Sequence, residues 1–178
     1  MNNRLSSKGL IEVFTGNGKG KTSAALGVAI RALGQGLNVS IIFFMKGNYP
    51  YGERNILARL SNVSFQCFGH EHFIDPQNIK EDEREQARRA LNAAREAIAS
   101  GKYDLVVLDE INLAAAWQLI AVEDVIQLIR EKPEKVELIL TGRYADKQII
   151  ALADLVTDMV EVKHPFRRGI QARKGFDY

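Results

Sequence analysis

The chain has 178 residues, of which 46% are hydrophobic and 26% are charged, and its formal net charge is +2. This length and composition predict one globular domain with a sizeable core, and so small a net charge argues against a nucleic-acid-binding protein. The single cysteine, Cys67, excludes an internal disulfide and a multi-cysteine zinc site. No apolar run is long enough to span a bilayer. A cytoplasmic protein without a membrane partner is therefore expected.

The first predicted elements enclose a glycine-rich loop. Residues 1–8 lack the apolar core of a signal peptide and are expected to be a flexible N-terminus. Leu10–Phe14 is an apolar run typical of a buried strand, and Lys21 to about Gln35 is predicted to be a helix. Residues 15–22 follow the strand and include the start of the helix. Their sequence, Thr-Gly-Asn-Gly-Lys-Gly-Lys-Thr, departs from the phosphate-binding pattern G-x-x-x-x-G-K-[ST] only at Thr15.

This loop has the chemistry of an anion site. Its glycines allow a tight turn with successive N–H groups aimed inward, and the following helix adds its positive N-terminal dipole. Lys21 supplies a point charge for phosphate oxygens, and Thr22 supplies a hydroxyl for a magnesium ion. A glycine-rich turn without a ligand is the alternative interpretation. The predicted nucleotide-binding residues here are Gly16, Asn17, Gly18, Lys19, Gly20, Lys21 and Thr22.

Two further strands lead to loops at the presumed binding edge. Val39–Phe44 and Val63–Phe68 are predicted as strands, and the nearly continuous apolar character of the first suits a parallel sheet covered on both faces. The loop Lys46–Asn55 contains Arg54, a candidate substrate-binding residue that could equally be an ordinary loop residue. Ligands bind beyond the carboxyl ends of strands in open α/β sheets, so both loops are expected near the site.

The loop Gly69–Pro76 contains two histidines, His70 and His72, whose spacing is only a weak indication of a metal site. Asp75 as N-cap and Pro76 at the first helical position are expected to open a long helix. Gly101 is expected to end it. Its predicted apolar stripe consists of Ala87, Leu91, Ala94 and Ile98.

The second informative stretch is Leu105–Glu110, in which four apolar residues precede two carboxylates. It is typical of a buried parallel strand that delivers acids to its carboxyl end, as in a Walker B element. With the phosphate loop in the same chain, Asp109 and Glu110 are predicted to hold magnesium together with Thr22.

The rest of the chain completes an α/β pattern and ends in a basic tail. Predicted helices and strands follow at Ile111–Ile120, Val122–Arg130, Val136–Arg143, Ile149–Ala153 and Leu155–Val162. Residues 9–163 are therefore expected to form one nucleotide-binding α/β domain, with a three-layer, mostly parallel sheet flanked by helices. The tail, residues 164–178, is basic with interleaved aromatics. Its composition alone fits a disordered arm, a nucleic-acid patch or part of a site for an anionic ligand.

Five groups of residues, in this order, resemble one family. They are Thr15–Thr22, Lys46-Gly47 with Gly52–Asn55, Val107–Glu110, Thr141–Arg143, and Lys163–Phe166 with the terminal Gly175–Tyr178. Together they resemble the ATP:corrinoid adenosyltransferases of bacteria and archaea, the type built on a RecA-like P-loop fold. The resemblance covers almost the whole chain, from about Gly9 to Tyr178.

The resemblance implies transfer of the 5′-deoxyadenosyl group of ATP to cobalt(I) of a corrinoid, with release of triphosphate, in adenosylcobalamin biosynthesis or salvage. Cobalt(I) is a strong nucleophile, so no activated serine or cysteine is needed. Lys21 and Glu110 are then the predicted catalytic residues, and Arg54 and Arg143 further substrate-binding residues. The implied partners are ATP, the corrinoid, an electron-donating reductase or flavoprotein and a second copy of the chain in a homodimer, with no nucleic acid.

The chain departs from the family in the loop after the third strand, where relatives often carry aromatics, including a tryptophan, that help displace the lower axial ligand of cobalt. Here the sequence is His70-Glu-His-Phe-Ile74. Phe73 is predicted to press on the lower face of the corrinoid; the alternative is that it packs the loop onto the next helix. Two other functions stay open: a conventional P-loop ATPase or phosphoryl transferase, and a non-catalytic module that binds ATP and corrinoid.

Overall fold

Six parallel strands form a single sheet in the computed structural model, which describes residues 8–178. Residues 1–7 of the predicted flexible N-terminus lie outside the described part of the chain. The order across the sheet is β3-β2-β4-β5-β1-β6, and every neighbouring pair is parallel. The strands are β1 (Ile11–Thr15), β2 (Val39–Phe43), β3 (Val63–Cys67), β4 (Leu105–Asp109), β5 (Glu137–Thr141) and β6 (Leu155–Asp158).

Helices cover both faces of this sheet. They are α1 (Lys21–Gly34), α2 (Gly52–Leu57), α3 (Glu81–Ala99), α4 (Ile111–Ala116), α5 (Val122–Glu131) and α6 (Lys147–Leu152), and a 3₁₀ helix follows at Pro165–Arg168. None of the helices within residues 8–178 is long and apolar enough to cross a membrane.

The alternation of side chains along the strands divides the core into two halves. Along β4, Val106 and Leu108 pack into the core beneath α3, α4, α5 and α6, whereas Leu105 and Val107 pack into the core beneath α1 and α2. Successive strand residues point to opposite faces, so a strand covered on both faces must be apolar throughout. The predicted three-layer α/β fold is thereby confirmed, with a sheet that is parallel throughout.

The start of α3 differs from the prediction. Asp75 and Pro76 do not open the helix: the Asp75 carboxylate accepts a hydrogen bond from the Gln77 N–H at 3.0 Å and closes a local turn instead. The helix begins at Glu81, where the Glu83 carboxylate accepts from the Lys80 N–H at 2.8 Å. Three consecutive acids at residues 81–83 interact favourably with the positive end of the helix, which explains why it starts there. The predicted apolar stripe of this helix is buried.

Other boundaries were wrong as well. The helix predicted at Ile111–Ile120 ends at Ala116. Part of the predicted loop Lys46–Asn55 is helical, because α2 begins at Gly52. The last strand ends at Asp158 and not at Val162. The chain leaves the sheet there and passes over the glycine-rich loop, where the Met159 carbonyl accepts a hydrogen bond from the Gly18 N–H at 2.6 Å.

Candidate active site

The glycine-rich loop joins β1 to α1 and is packed against the segment that follows β6. Gly16 has a φ of +95° and Gly20 a φ of +120°, conformations that other residues rarely adopt. A Cβ atom on Gly16 would also lie 2.6 Å from the Met159 carbonyl oxygen. Both the backbone angle and this close approach therefore require glycine at residue 16.

The ammonium group of Lys21 lies inside this loop. Its Nζ donates to the Gly16 carbonyl at 2.8 Å and the Gly18 carbonyl at 2.7 Å, and the residue is 7% exposed. Burial lowers the pKa of Lys21, while the nearby charge of Glu110 opposes that shift. The lysine is thus held at the centre of the loop by carbonyl oxygens, where an anionic ligand would compete for its donors.

Beside the loop, a buried carboxylate accepts hydrogen bonds from one hydroxyl and from a second lysine. Asp109, at the end of β4, is 1% exposed and accepts from the Thr141 hydroxyl through Oδ1 at 2.7 Å. Its Oδ2 accepts from Lys46 Nζ at 2.5 Å, and the same ammonium lies 3.2 Å from Thr22 Oγ1. Burial works against the charge on Lys46, but Asp109 outweighs it, so the pKa of Lys46 is raised.

Glu110 differs from Asp109 in having no partner for one of its oxygens. Its backbone is left-handed, with a φ of +66°, and its N–H donates to Thr141 Oγ1 at 2.9 Å. Its Oε2 is buried and makes no hydrogen bond. Burial, and then the charge of Asp109, raise the pKa of Glu110. A buried carboxylate oxygen without a donor is costly, so a bound cation would relieve it.

Thr22, Asp109 and Glu110 are the three predicted metal ligands, and two features of the structure bear on whether they suit a cation. One cation, the Lys46 ammonium, already bridges the oxygens of Thr22 and Asp109. Glu110 adds a buried oxygen that has no partner. Hydroxyl and carboxylate oxygens are the donors that a hard cation such as Mg²⁺ prefers, so this set fits the ion.

A cleft of about 420 Å³ opens onto the loop. Glu110 and Arg143 lie in its wall together with Gly18 and Lys21 of the glycine-rich loop. The walls also contain apolar and aromatic side chains, among them Leu26 and Tyr51. Such a cleft, with a charged floor and apolar sides, is suited to a nucleotide. A second cleft of about 910 Å³ shares Lys19, Arg143, His164 and Asp177 with the first.

The C-terminal tail forms one side of the first cleft. Lys19 Nζ pairs with the Asp177 carboxylate and donates to the Phe176 carbonyl at 2.7 Å. The ring of Tyr178 packs edge-on against Tyr49, with centroids 5.2 Å apart. The tail therefore links the glycine-rich loop to the loop that follows β2.

Arg54 packs over the ring of Tyr51, which lines the cleft, and both of its terminal guanidinium nitrogens donate to carbonyls within the protein. One guanidinium nitrogen donates to the carbonyls of Gly47 at 2.7 Å and Tyr49 at 3.1 Å, and another to Lys46 at 2.8 Å. The observed function of Arg54 is to hold the loop after β2 in shape. A direct contact with substrate stays a prediction.

The loop after β3 places its aromatic residue in solvent. Phe73 is 91% exposed, which contradicts the alternative that it packs the loop onto the next helix, whereas Ile74 is partly buried against the core. His70 and His72 stack with centroids 5.2 Å apart, and each approaches one carboxylate at the start of α3. Within residues 8–178 there is no group of three or more His, Cys, Asp or Glu residues that could hold a metal.

Sequence reasoning missed two participants. The sequence motifs include Lys46 and Thr141 but indicate no role for either residue, yet both contact Asp109. The signal lies in the sheet register. Phe43 pairs with Asp109, and Leu140 with Leu108, so the residues that follow β2 and the last residue of β5 must lie close to Asp109.

The chain is similar over nearly its whole length to proteins of one family. A sequence model described as "ATP:corrinoid adenosyltransferase BtuR/CobO/CobP" matches residues 7–178. The corrinoid adenosyltransferase of Escherichia coli (strain K12) is 40% identical over 171 residues, covering 96% of this chain and 86% of that protein. Corrinoid adenosyltransferase CobA of Salmonella typhimurium is 39% identical with the same coverage. A Sinorhizobium relative of the same name is 36% identical over 181 residues, covering 100% and 84% of the two chains.

Proposed function

The chain belongs to the ATP:corrinoid adenosyltransferase family BtuR/CobO/CobP, and from this premise we propose how its residues carry out the transfer. ATP and a corrinoid are the substrates of this family. The observation that supports the assignment of roles is that Lys21, Thr22 and Glu110 line one cleft of about 420 Å³. We assign this cleft to the triphosphate and adenosine of ATP.

Cobalt(I) attacks C5′ of ATP, the C5′–O bond breaks, and the triphosphate leaves with the electron pair, so that cobalt becomes formally cobalt(III). The nucleophile is supplied by the corrinoid, and the protein has to align C5′ with cobalt and stabilise the charge on the departing oxygen. The loop at Gly16–Gly20 cradles the triphosphate, and Lys21 turns from its loop carbonyls to the phosphate oxygens. Arg143, in the cleft wall, adds a second positive charge.

Thr22, Asp109 and Glu110 would hold a magnesium ion beside the phosphates. When bound, the ion neutralises part of the charge that develops on the leaving triphosphate. Thr141 orients Asp109 through the hydrogen bond to Oδ1 and also fixes the Glu110 N–H. These contacts hold the Asp109 carboxylate and the backbone of Glu110 beside each other.

The C-terminal residues 164–178 belong to the same site in this proposal, since Gly175–Tyr178 form part of the cleft wall.

We also propose a reductase or flavoprotein partner, because neither ATP nor the corrinoid supplies the electrons that produce cobalt(I). A homodimer is supported by the exposed edge strand β6, where Leu155 and Val156 are 41% and 42% exposed. The free thiol of Cys67 is consistent with the cytoplasm as the location.

The reaction is tested by its products. We expect one triphosphate for each adenosylated corrinoid when the protein is incubated with ATP, Mg²⁺ and chemically reduced cobalamin. The corrinoid is followed by its absorption spectrum and the phosphates by ion-exchange chromatography. Stoichiometric ADP and inorganic phosphate would indicate a conventional ATPase, and binding of both substrates without turnover would indicate a non-catalytic module.

Phe73 is proposed to cover the lower face of the corrinoid. Its ring is 91% exposed in the described structure and is available to a flat apolar ligand. Pressed beneath the macrocycle, it would exclude water and the lower axial ligand, leaving cobalt(II) four-coordinate and easier to reduce.

Phe73→Ala is therefore expected to lower the rate from cobalt(II) about tenfold or more, and the rate from preformed cobalt(I) much less. The stability of the fold should change little, because an exposed ring contributes little to the core. Electron paramagnetic resonance of the ATP-bound cobalt(II) complex should show loss of the four-coordinate signal. Equal slowing from both oxidation states, with that signal intact, would contradict the role.

A further inference from the structure

Lys46 lies where the proposed metal ion would bind. Its ammonium is 2.5 Å from Asp109 Oδ2 and 3.2 Å from Thr22 Oγ1, and both residues are proposed ligands. The lysine side chain is 11% exposed and that of Asp109 1%, so the pair is shielded from water. A charge pair this close and this buried is a strong local interaction, and removing one partner leaves the other uncompensated.

The position of Lys46 is fixed by its backbone. The N–H groups of Lys46 and Gly47 both donate to the Phe68 carbonyl, at 2.9 Å and 3.1 Å. Arg54 donates to the carbonyls of the same two residues at 2.8 Å and 2.7 Å. Met45, just before them, has a φ of +56°. Four hydrogen bonds and a strained neighbour hold the backbone of this short segment in place. This backbone directs the Lys46 side chain towards Asp109.

Asp109 has no free oxygen while Lys46 is in place. Its Oδ1 is occupied by the Thr141 hydroxyl at 2.7 Å and its Oδ2 by the lysine. A divalent cation that coordinates Oδ2 and Thr22 Oγ1 would have to share them with a second positive charge a few ångströms away. Two cations at such a distance in a shielded site repel each other strongly, so occupation by one excludes the other.

We propose that Lys46 occupies the metal position in the nucleotide-free protein and that a divalent cation binds by displacing its ammonium. This inference depends on the proposed function, which assigns Thr22, Asp109 and Glu110 to the metal. The lysine keeps the buried Asp109 neutralised until the metal arrives with the nucleotide. The metal is consequently bound weakly alone and tightly together with ATP.

An aromatic ring at the edge of the cleft already faces the ammonium of Lys46. Lys46 Nζ lies 5.0 Å from the ring centroid of Tyr51, which lines the cleft together with Lys21 and Thr22. An aromatic face can hold an ammonium group there. Displaced from Asp109, the ammonium would stay beside this ring at the edge of the space assigned to the phosphates, where it would add a further positive charge for the nucleotide.

The test measures Mn²⁺ binding to the nucleotide-free protein by electron paramagnetic resonance. Lys46→Met keeps most of the side-chain length but removes the charge, and it is expected to bind Mn²⁺ about tenfold more tightly than the wild type, as for two mutually exclusive ligands. Lys46→Gln, which can still donate to Asp109, should behave likewise if the methionine variant does not fold. Lys102→Met, at an exposed residue outside the cleft, controls for the loss of one positive charge and should match the wild type.

Thermal unfolding gives a second readout. Without metal, Lys46→Met should be less stable than the wild type, because Asp109 stays buried without its counter-ion, and added Mn²⁺ should stabilise the variant more than the wild type. Unchanged or weaker Mn²⁺ binding by both Lys46 variants, with binding still abolished by Asp109→Asn, would overturn the inference and leave the metal site in place. Mn²⁺ binding with ATP that is indifferent to both Asp109→Asn and Glu110→Gln would overturn the metal site of the proposed function itself.

Discussion

Replacing Lys21 by alanine is expected to reduce the rate of adenosyl transfer on the order of 100-fold or more, even at saturating ATP and Mg²⁺. The ammonium lies inside the glycine-rich loop, 2.8 Å and 2.7 Å from the carbonyl oxygens of Gly16 and Gly18. In the role proposed for it, the ammonium would stabilise charge that develops on the leaving triphosphate only in the transition state, so kcat should fall more than KM rises. Single-turnover measurements from preformed cobalt(I) isolate this step.

Lys19→Ala is the matched control for that experiment. Lys19 belongs to the same loop, but its side chain is 47% exposed and pairs with Asp177 in the tail. An exposed pair of this kind contributes little, so we expect a loss of about tenfold or less, mainly in KM. Equal losses for the two variants, or wild-type kcat in Lys21→Ala, would contradict the proposed role of Lys21.

The elements of the fold were largely predictable because strands covered on both faces must be apolar throughout. Val39–Phe43 and Leu105–Asp109 are buried along their whole length, and both were identified from continuous apolar runs. The start of α3 was not predictable from Asp75-Pro76, because that pair is equally suited to a turn. The acids at residues 81–83 are the pattern that indicates the correct start of the helix, because negative charge is favourable in its first turn.

The candidate site was predictable only where one stretch of sequence carries the chemistry. Residues 15–22 and the acids at 109 and 110 each form a local pattern that indicates phosphate or metal binding. The contacts of Lys46 and Thr141 with Asp109 depend on the order of the strands, since β2 and β5 flank β4 in the sheet. No local sequence pattern indicates the order of the strands, so the contacts of these two residues with Asp109 could be recognised only in the folded structure.

The two neighbouring acids of the site are expected to respond in opposite ways to loss of their charge. Asp109 is fully engaged by Lys46 and Thr141, whereas Glu110 has a buried oxygen without a partner. Removing the charge of Asp109 leaves a buried ammonium uncompensated, and we expect Asp109→Asn to destabilise the fold. Removing the charge of Glu110 ends the cost of burying it, and we expect Glu110→Gln to be as stable as the wild type or more stable.

The Mg²⁺ dependence of the reaction rate should show whether the unpartnered carboxylate of Glu110 binds the metal. A neutral amide is a poorer ligand for a hard cation, so Glu110→Gln should raise the Mg²⁺ concentration for half-maximal activity by on the order of 10–100-fold. The measurement is a Mg²⁺ titration of the initial rate at saturating ATP and cobalt(I), with thermal unfolding of the same preparations. A variant that loses stability but keeps its Mg²⁺ requirement would show that Glu110 stabilises the fold and does not bind the metal. A stable variant with a raised requirement is the result that the unpartnered oxygen of Glu110 predicts.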